Sequence, residues 1–487
     1  MRTKHHQQGH HERHPTMTQE KAQLDRRSFL RGSLAAAALV PLAGTLASCS
    51  SPSSGGGGGG GGTKSATNPF GLAKSSSVDA VIFNGGYGYD YVKYAADQVT
   101  KQKGFSGVTI KVSPSTQIAQ QLQPRFVGGT PPDLIDNSGA NAIGFNVIAK
   151  QCETLDDVFE ANNYEGTKIS DTLYPNVKVP GTFDGKFIAM NYVMTVYGVW
   201  YSASLFKQNG WTPPATWDDA LALGAKAKAK GKYLFVWGKE AATYYQTMSV
   251  NSAIKEGGDE VRLALENLQP KCWSMPQLQD VFKALAEMVS KEYFVPGGAG
   301  TQFTAAQAKW SNDEQAILYP SGGWIENEMK SATKSGFEMT GAPEPTVSSS
   351  PKLPAAGLRA AAGEPYVVPS QSKNSAGGKE LLRAMLSKDA ATNFSKTRLA
   401  PTIVKGLVPD DGFGSTALVS QTKMLSAAGS NIFNYQFVDY YGMNTDQLVV
   451  WNSFLSGQTD VAGLTKGLQG ITDKIANDSS VKKLKIT

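Results

Sequence analysis

The chain has 487 residues, of which 40% are hydrophobic and 18% charged, a balance that supports a sizeable core and excludes a disordered or fibrous chain. Lys and Arg outnumber Asp and Glu by 47 to 41, but residues 1–48 hold seven of the basic and three of the acidic side chains, so the remainder is nearly neutral and lacks the clustered positive surplus that nucleic-acid binding requires. All five histidines, His5, His6, His10, His11 and His14, lie in the same amino-terminal extension, which leaves the rest without Ser-His-Asp or Cys-His catalysis and without an imidazole-ligated zinc site.

The sequence Asp25-Arg26-Arg27-Ser28-Phe29-Leu30-Arg31 precedes a modest apolar run at 33–40 that is broken by Pro41. This is the anatomy of an export signal. It is too short and too rich in alanine for a spanning helix, which needs about 20 strongly apolar residues. The segment resembles a twin-arginine signal, and Leu46-Ala47-Ser48-Cys49 resembles a lipobox. That resemblance implies removal of residues 1–48 and lipidation of Cys49. Residues 49–77 then read as an anchor and linker, whose unbroken glycine run at 55–62 predicts a flexible tether with a reach of roughly 25 Å. After export Cys152 and Cys272 meet an oxidising compartment, where a disulfide and two buried free thiols are both open.

From residue 78 short apolar strands alternate with amphipathic helices. The pattern predicts strands at 78–83, 108–112 and 134–135, with helices at 91–103 and 117–127 between them. Such β-α-β-α-β order implies a parallel sheet covered by helices. A helix over 217–230 starts after Pro213-Pro214 with Thr216 as its cap, and 233–237 reads as a strand. Helices also fit 276–291, 379–386 and 460–477, while four prolines and several serines make 343–354 a loop. The loop after the first strand, Asn84-Gly85-Gly86-Tyr87-Gly88-Tyr89-Asp90, has neither the Gly-Lys-Ser/Thr ending nor the Gly-x-Gly-x-x-Gly spacing of a phosphate loop. Its glycines instead allow close backbone approach, and its tyrosines offer flat faces with polar tips.

The stretch 117–139, QIAQQLQPRFVGGTPPDLIDNSG, resembles the helix, Gly-x-Pro-Pro-Asp turn and strand of family 1 extracellular solute-binding proteins. Phe183-Asp184-Gly185-Lys186, the segment 197–232 (YGVWYSASLFKQNGWTPPATWDDALALGAKAKAKGK), the segment 312–331 (NDEQAILYPSGGWIENEMKS) and a closing helix after Ser456-Gly457 extend the likeness over nearly everything from residue 78 onward. Within that family the chain is most similar to the actinobacterial N-acetylglucosamine and N,N′-diacetylchitobiose binding proteins, through 122–139, 195–201, 323–328 and Gly363-Glu364-Pro365-Tyr366-Val367-Val368-Pro369. The resemblance implies an α/β, two-lobe clamp of the type II periplasmic-binding-protein kind, each lobe a mostly parallel sheet flanked by helices, with a hinge between lobes. Lobe one is expected at 78–194 plus 359–400 and lobe two at 195–358 plus 401–487. It further implies a monomeric, extracellular binding protein that hands a mono- or oligosaccharide to the permease subunits of an ABC importer, with no reaction, no metal and no cofactor.

Sugars combine hydroxyl rims with apolar C–H faces, so their sites pair aromatic rings with carboxylates and amides. On that basis the candidates are Tyr87, Asp136, Asn137, Asn191, Tyr197, Trp237, Tyr245, Trp324, Glu326, Glu364, Tyr440 and Tyr441, with Tyr244 beside Tyr245. Gly322-Gly323 suggests that Trp324 sits on an exposed turn. The rival with catalysis is a secreted glycoside hydrolase, which needs two carboxylates about 5 to 9.5 Å apart and no histidine.

Overall fold

In the computed structural model, which describes residues 61–486 apart from Pro175, Ala361 and Ala362, the first strands form where the alternation of apolar residues puts them. The expected export signal and Cys49 lie outside the described residues. Strands β1 (Ser77–Phe83), β2 (Thr109–Ser115) and β3 (Leu134–Asp136) pair in parallel in the order β2-β1-β3. Their crossovers are the helices Asp90–Lys101, which buries Tyr91, Val92, Ala95, Ala96 and Val99, and Ile118–Val127, which buries Ile118, Leu122 and Phe126. Both stripes follow the helical repeat.

A hairpin of β4 (Thr182–Phe183) and β5 (Lys186–Phe187) follows. Asp184 and Gly185 close it with φ of 53° and 75°, the left-handed pair that a two-residue hairpin turn needs. The later strands are β6 (Met190–Val193), β7 (Tyr197–Ser202), β8 (Tyr319–Gly322), β9 (Met339–Ala342), β10 (Leu358–Arg359), β11 (Gly363–Val367) and β12 (Ile432–Phe433). The larger sheet has the order β2-β1-β3-β11-β6, and the smaller one β8-β7-β9. In the larger sheet β11 returns late in the chain and runs antiparallel to both β3 and β6.

The smaller sheet departs from the expected parallel pattern, because β7 is antiparallel to both β8 and β9. The cause is the connection. Residues 194–196 carry the chain straight from β6 into β7, whereas β8 and β9 are joined through the helix Ile325–Met329 and straddle β7 as a mutually parallel pair. The segment 233–237 is extended and makes parallel bridges at Tyr233 to Ala316 and Phe235 to Phe294, without becoming a full strand.

The helix Trp217–Lys228 starts with a complete capping box between Thr216 and Asp219, and Asp460 caps Val461–Ala476. Pro276–Ser290 follows the predicted span closely, and Ser375–Met385 begins four residues earlier than expected because Asn374 caps it. The loop through 343–354 is pinned from below by the buried Lys255, whose Nζ donates to the carbonyl oxygens of Glu344 and Ala355. The two cysteines among the described residues are unpaired. Cys152 donates to the Ile148 carbonyl and Cys272 to Gln469 Oε1, and burial pushes each thiol up to about 12. No helix among the described residues is long and apolar enough to cross a membrane.

Candidate functional site

The carboxyl ends of β1 and β3 meet the amino end of β7 and the turn after β8. Glycines make this approach possible. A Cβ on Gly86 would lie 3.0 Å from Trp324 Cβ, and one on Gly322 would lie 1.9 Å from Trp324 Cζ3. The Trp324 indole therefore folds back over the end of β8 and reaches the β1 loop, where Asn327 also donates to the Gly86 carbonyl. Gly322 and Gly323 are buried rather than exposed; they serve close packing, not an open turn.

An aromatic wall runs from this point. Tyr197 meets Trp324 edge to face at 5.7 Å, Tyr244 meets it from another side at 5.8 Å, and the Arg359 guanidinium lies 4.4 Å over the Tyr197 ring. Opposite stand carboxyl and amide groups. Asp136 ends β3 and accepts from Ser138 Oγ, while Glu364 faces the same carboxyl from β11. Burial, then the charge of Glu364, pushes Asp136 well above the usual carboxylate range, and burial pushes Glu364 up too. Glu364 holds φ of 53°, a left-handed conformation costing about 1–2 kcal/mol in a residue with a Cβ. The β11 ladder fixes it there, through Gly363 opposite Val193, Pro365 opposite Asn191 and Tyr366 opposite Asp136.

Several polar atoms here have no hydrogen-bond partner among the described residues: the Tyr87 hydroxyl, Asp136 Oδ2, Asn191 Nδ2 and Thr195 Oγ1. An unpaired buried polar group costs about 1–3 kcal/mol, so four in one place leave room for further hydrogen-bond partners. Tyr197, Tyr244, Trp324 and Glu364 are half-buried, yet burial raises Tyr197, Tyr244 and Glu364. Groups enclosed by protein and still reached by water line a narrow cleft. Glu328, one helical turn beyond Trp324, accepts from Gln307 at 2.7 Å, and burial lifts it to about 7.

Six of the twelve expected residues come together here: Tyr87, Asp136, Asn191, Tyr197, Trp324 and Glu364. The other six are engaged elsewhere. Asn137 spends its side chain on both backbone groups of Ile143, bracing the loop after β3. Trp237 and Tyr245 pack against Phe294, and the Tyr245 hydroxyl donates to the Val236 carbonyl at 2.8 Å. Tyr440 stacks on Phe183 and stands perpendicular to Tyr441, whose hydroxyl accepts from Leu484 N. Glu326 accepts from Ser415, the cap of the helix Thr416–Ala428. Glu328, Thr195, Ser138, Arg359, Tyr435 and Asp439 are neighbours that the residue pattern did not single out. For Glu328 a signal exists: it lies four residues after Trp324 on one helical face, whereas Glu326 points away.

Two surface cavities, about 380 Å³ between the β4–β5 turn and residues 482–486 and about 310 Å³ around 411–423, lie elsewhere. Neither combines aromatic faces with buried carboxyls. Chemically the cleft offers acceptors, donors and flat apolar faces. Asp136 and Glu364 lie close enough that the charge of Glu364 adds to burial in raising Asp136.

Comparison with known proteins fits this geometry. Residues 85–392 match the family model described as bacterial extracellular solute-binding protein. The chain is 64% identical over 471 residues to the diacetylchitobiose binding protein NgcE of Streptomyces coelicolor (strain ATCC BAA-471 / A3(2) / M145), covering 97% of this chain and 100% of that one. Among solved structures, a chitin oligosaccharide binding protein superposes with a TM-score of 0.64 at 17% identity, covering 83% of this chain and 100% of that one. The solute-binding protein RafE in complex with raffinose gives 0.63 at 16%, covering 82% and 99%. The architecture is thus the two-lobe clamp of substrate-binding proteins.

Proposed function

Because the chain belongs to the bacterial extracellular solute-binding protein family, we propose that it captures N,N′-diacetylchitobiose, N-acetylglucosamine or a small chito-oligosaccharide outside the cell and presents it to an ABC importer. The observation that carries this reading is the near full-length identity to a diacetylchitobiose binding protein. The chemistry of the cleft supports it. Lobe one comprises 78–194 plus 359–400 and lobe two 195–358 plus 401–487, so the chain passes between them near 194–197, 358–363 and 400. A sugar touching both lobes favours the closed form by its differential affinity. Trp324 and Tyr197 stack on the sugar faces, Asp136, Asn191 and Tyr87 give their unpartnered polar atoms to its hydroxyls, and Glu364 adds a further acceptor. The protein acts as a monomer and makes or breaks no bond.

Calorimetry of the protein starting at Ser50 against diacetylchitobiose, N-acetylglucosamine, cellobiose and raffinose tests the reading. Diacetylchitobiose binds tightly and stoichiometrically, and no monosaccharide appears on prolonged incubation. Preference for a sugar without N-acetyl groups overturns the ligand assignment, and steady hydrolysis overturns the binding-only role.

The export signal and Cys49 make the mature form a lipoprotein on the outer face of the cytoplasmic membrane, tethered through the glycine-rich linker. Substituting C49S is expected to shift the exported protein from the membrane fraction to the medium. Retention of the variant on membranes would refute lipid anchoring.

A further inference from the structure

Arg359 is the cation of the cleft, and it is held in an uncommon way. Its guanidinium lies 4.4 Å over the Tyr197 ring and 4.0 Å over the Tyr435 ring, so two aromatic rings hold it. Such a grip offsets part of the cost of burying the charge, and Arg359 is 5% exposed. All five guanidinium N–H donors lie in its plane and point outward from its edge. Among the described residues that edge uses Nε, which donates to Asn434 Oδ1 at 3.2 Å.

The nearest opposite charges act from beyond ion-pair range. Asp439 on the helix Phe437–Tyr441 and Glu266 on Asp259–Glu266 both influence Arg359, as do the Tyr197 and Tyr435 hydroxyls. Glu266 is committed to the backbone N–H groups of Gln436 and Phe437. The Asp439 side chain makes no hydrogen bond or ion pair among the described residues, and Arg359 in turn draws its carboxyl down against the rise caused by burial. A pure donor and a carboxylate acceptor therefore stand near each other without pairing, beside the ring of Tyr197 that continues the aromatic wall to Trp324.

An amide group suits a donor and an acceptor placed side by side. Its carbonyl is a pure acceptor, its N–H a donor, and its methyl an apolar cap. A hydroxyl oxygen also accepts from a guanidinium, but it is served as well by the carboxyls of Asp136 and Glu364, whereas a carbonyl oxygen can only accept and needs a donor such as this charged one. We propose that Arg359 selects sugars bearing an N-acetyl group, by donating from its guanidinium edge to the acetamido oxygen. This inference rests on the cleft being the sugar site.

The test crosses the acetyl substituents of the ligand with one residue of the protein. Diacetylchitobiose and its N-trifluoroacetyl analogue, whose carbonyl is a weaker acceptor, are titrated into the wild-type protein and R359K. Lysine keeps the charge and loses the planar fork. Wild type is expected to prefer the acetyl sugar over the analogue by about 10-fold, and R359K to lose about 10- to 100-fold for the acetyl sugar while the preference falls towards unity. Melting of R359K without ligand separates a structural role, which would lower both affinities together and keep their ratio. An unchanged ratio overturns the assignment of Arg359. Should R359K fail to fold, wild type alone decides: equal affinity for the two sugars overturns the proposal. No binding of either sugar to wild type overturns the reading of the cleft itself, a result distinct from the others.

Discussion

Replacing Trp324 with alanine is expected to weaken diacetylchitobiose binding by about 100-fold or more, the range of a buried aromatic anchor at the centre of a contact. The indole touches Tyr197, Tyr244, Gly86 and Gly322, so its removal opens a gap between the two walls as well as deleting a stacking face. Trp324→Phe keeps a flat face of smaller area and should lose roughly 10-fold. Calorimetry of the three proteins provides the comparison, and their melting curves without ligand show whether the loss arises at the cleft. Affinity of the alanine variant within threefold of wild type would remove Trp324 from the site.

The second large effect is a stability that declines with rising pH in the ligand-free protein. Burial holds Glu266 and Glu380 at about 7 in the folded state, against about 4.3 in an unfolded chain. Between those values the folded state binds more protons than the unfolded one, so stability is highest near the lower end. It falls as pH rises through about 7 and levels off above. Asp136 and Glu364 are raised as well and act in the same direction. Allowing for relaxation, the loss is on the order of 2–4 kcal/mol, and Tm near pH 5.5 should exceed Tm near pH 8 by several degrees, about 3–6 °C. Glu266→Gln should flatten the profile. A Tm that stays level or climbs across this range would contradict it.

Much of the architecture is legible before any coordinates. The first three strands and their two helices have regular apolar spacing, and Thr216, Asp460 and the Asp184-Gly185 turn carry local signals that tertiary contacts do not override. The helix Thr243–Gly257 escaped such reading. Twelve of its fifteen residues are buried, including Ser249, Asn251, Ser252 and Lys255, so it has no polar face to set against an apolar one and no amphipathic period to detect.

The site divides on similar lines. Composition and segment order alone establish the absence of histidine beyond residue 14, the near-neutral charge, the paired arginines ahead of a short apolar run and the family likeness, since these are properties of residues in a row. Which of two adjacent tyrosines meets Trp324 is a different matter. Tyr244 turns to the cleft and Tyr245 to the core, and about 100° of helical rotation separates them. Arg359 likewise carries no local mark; its surroundings arise because β10 pairs with β12 and brings Tyr435 to its guanidinium while β7 supplies Tyr197. Contacts between segments some 75 to 160 residues apart in the chain depend on packing in three dimensions, and only the folded protein decides them.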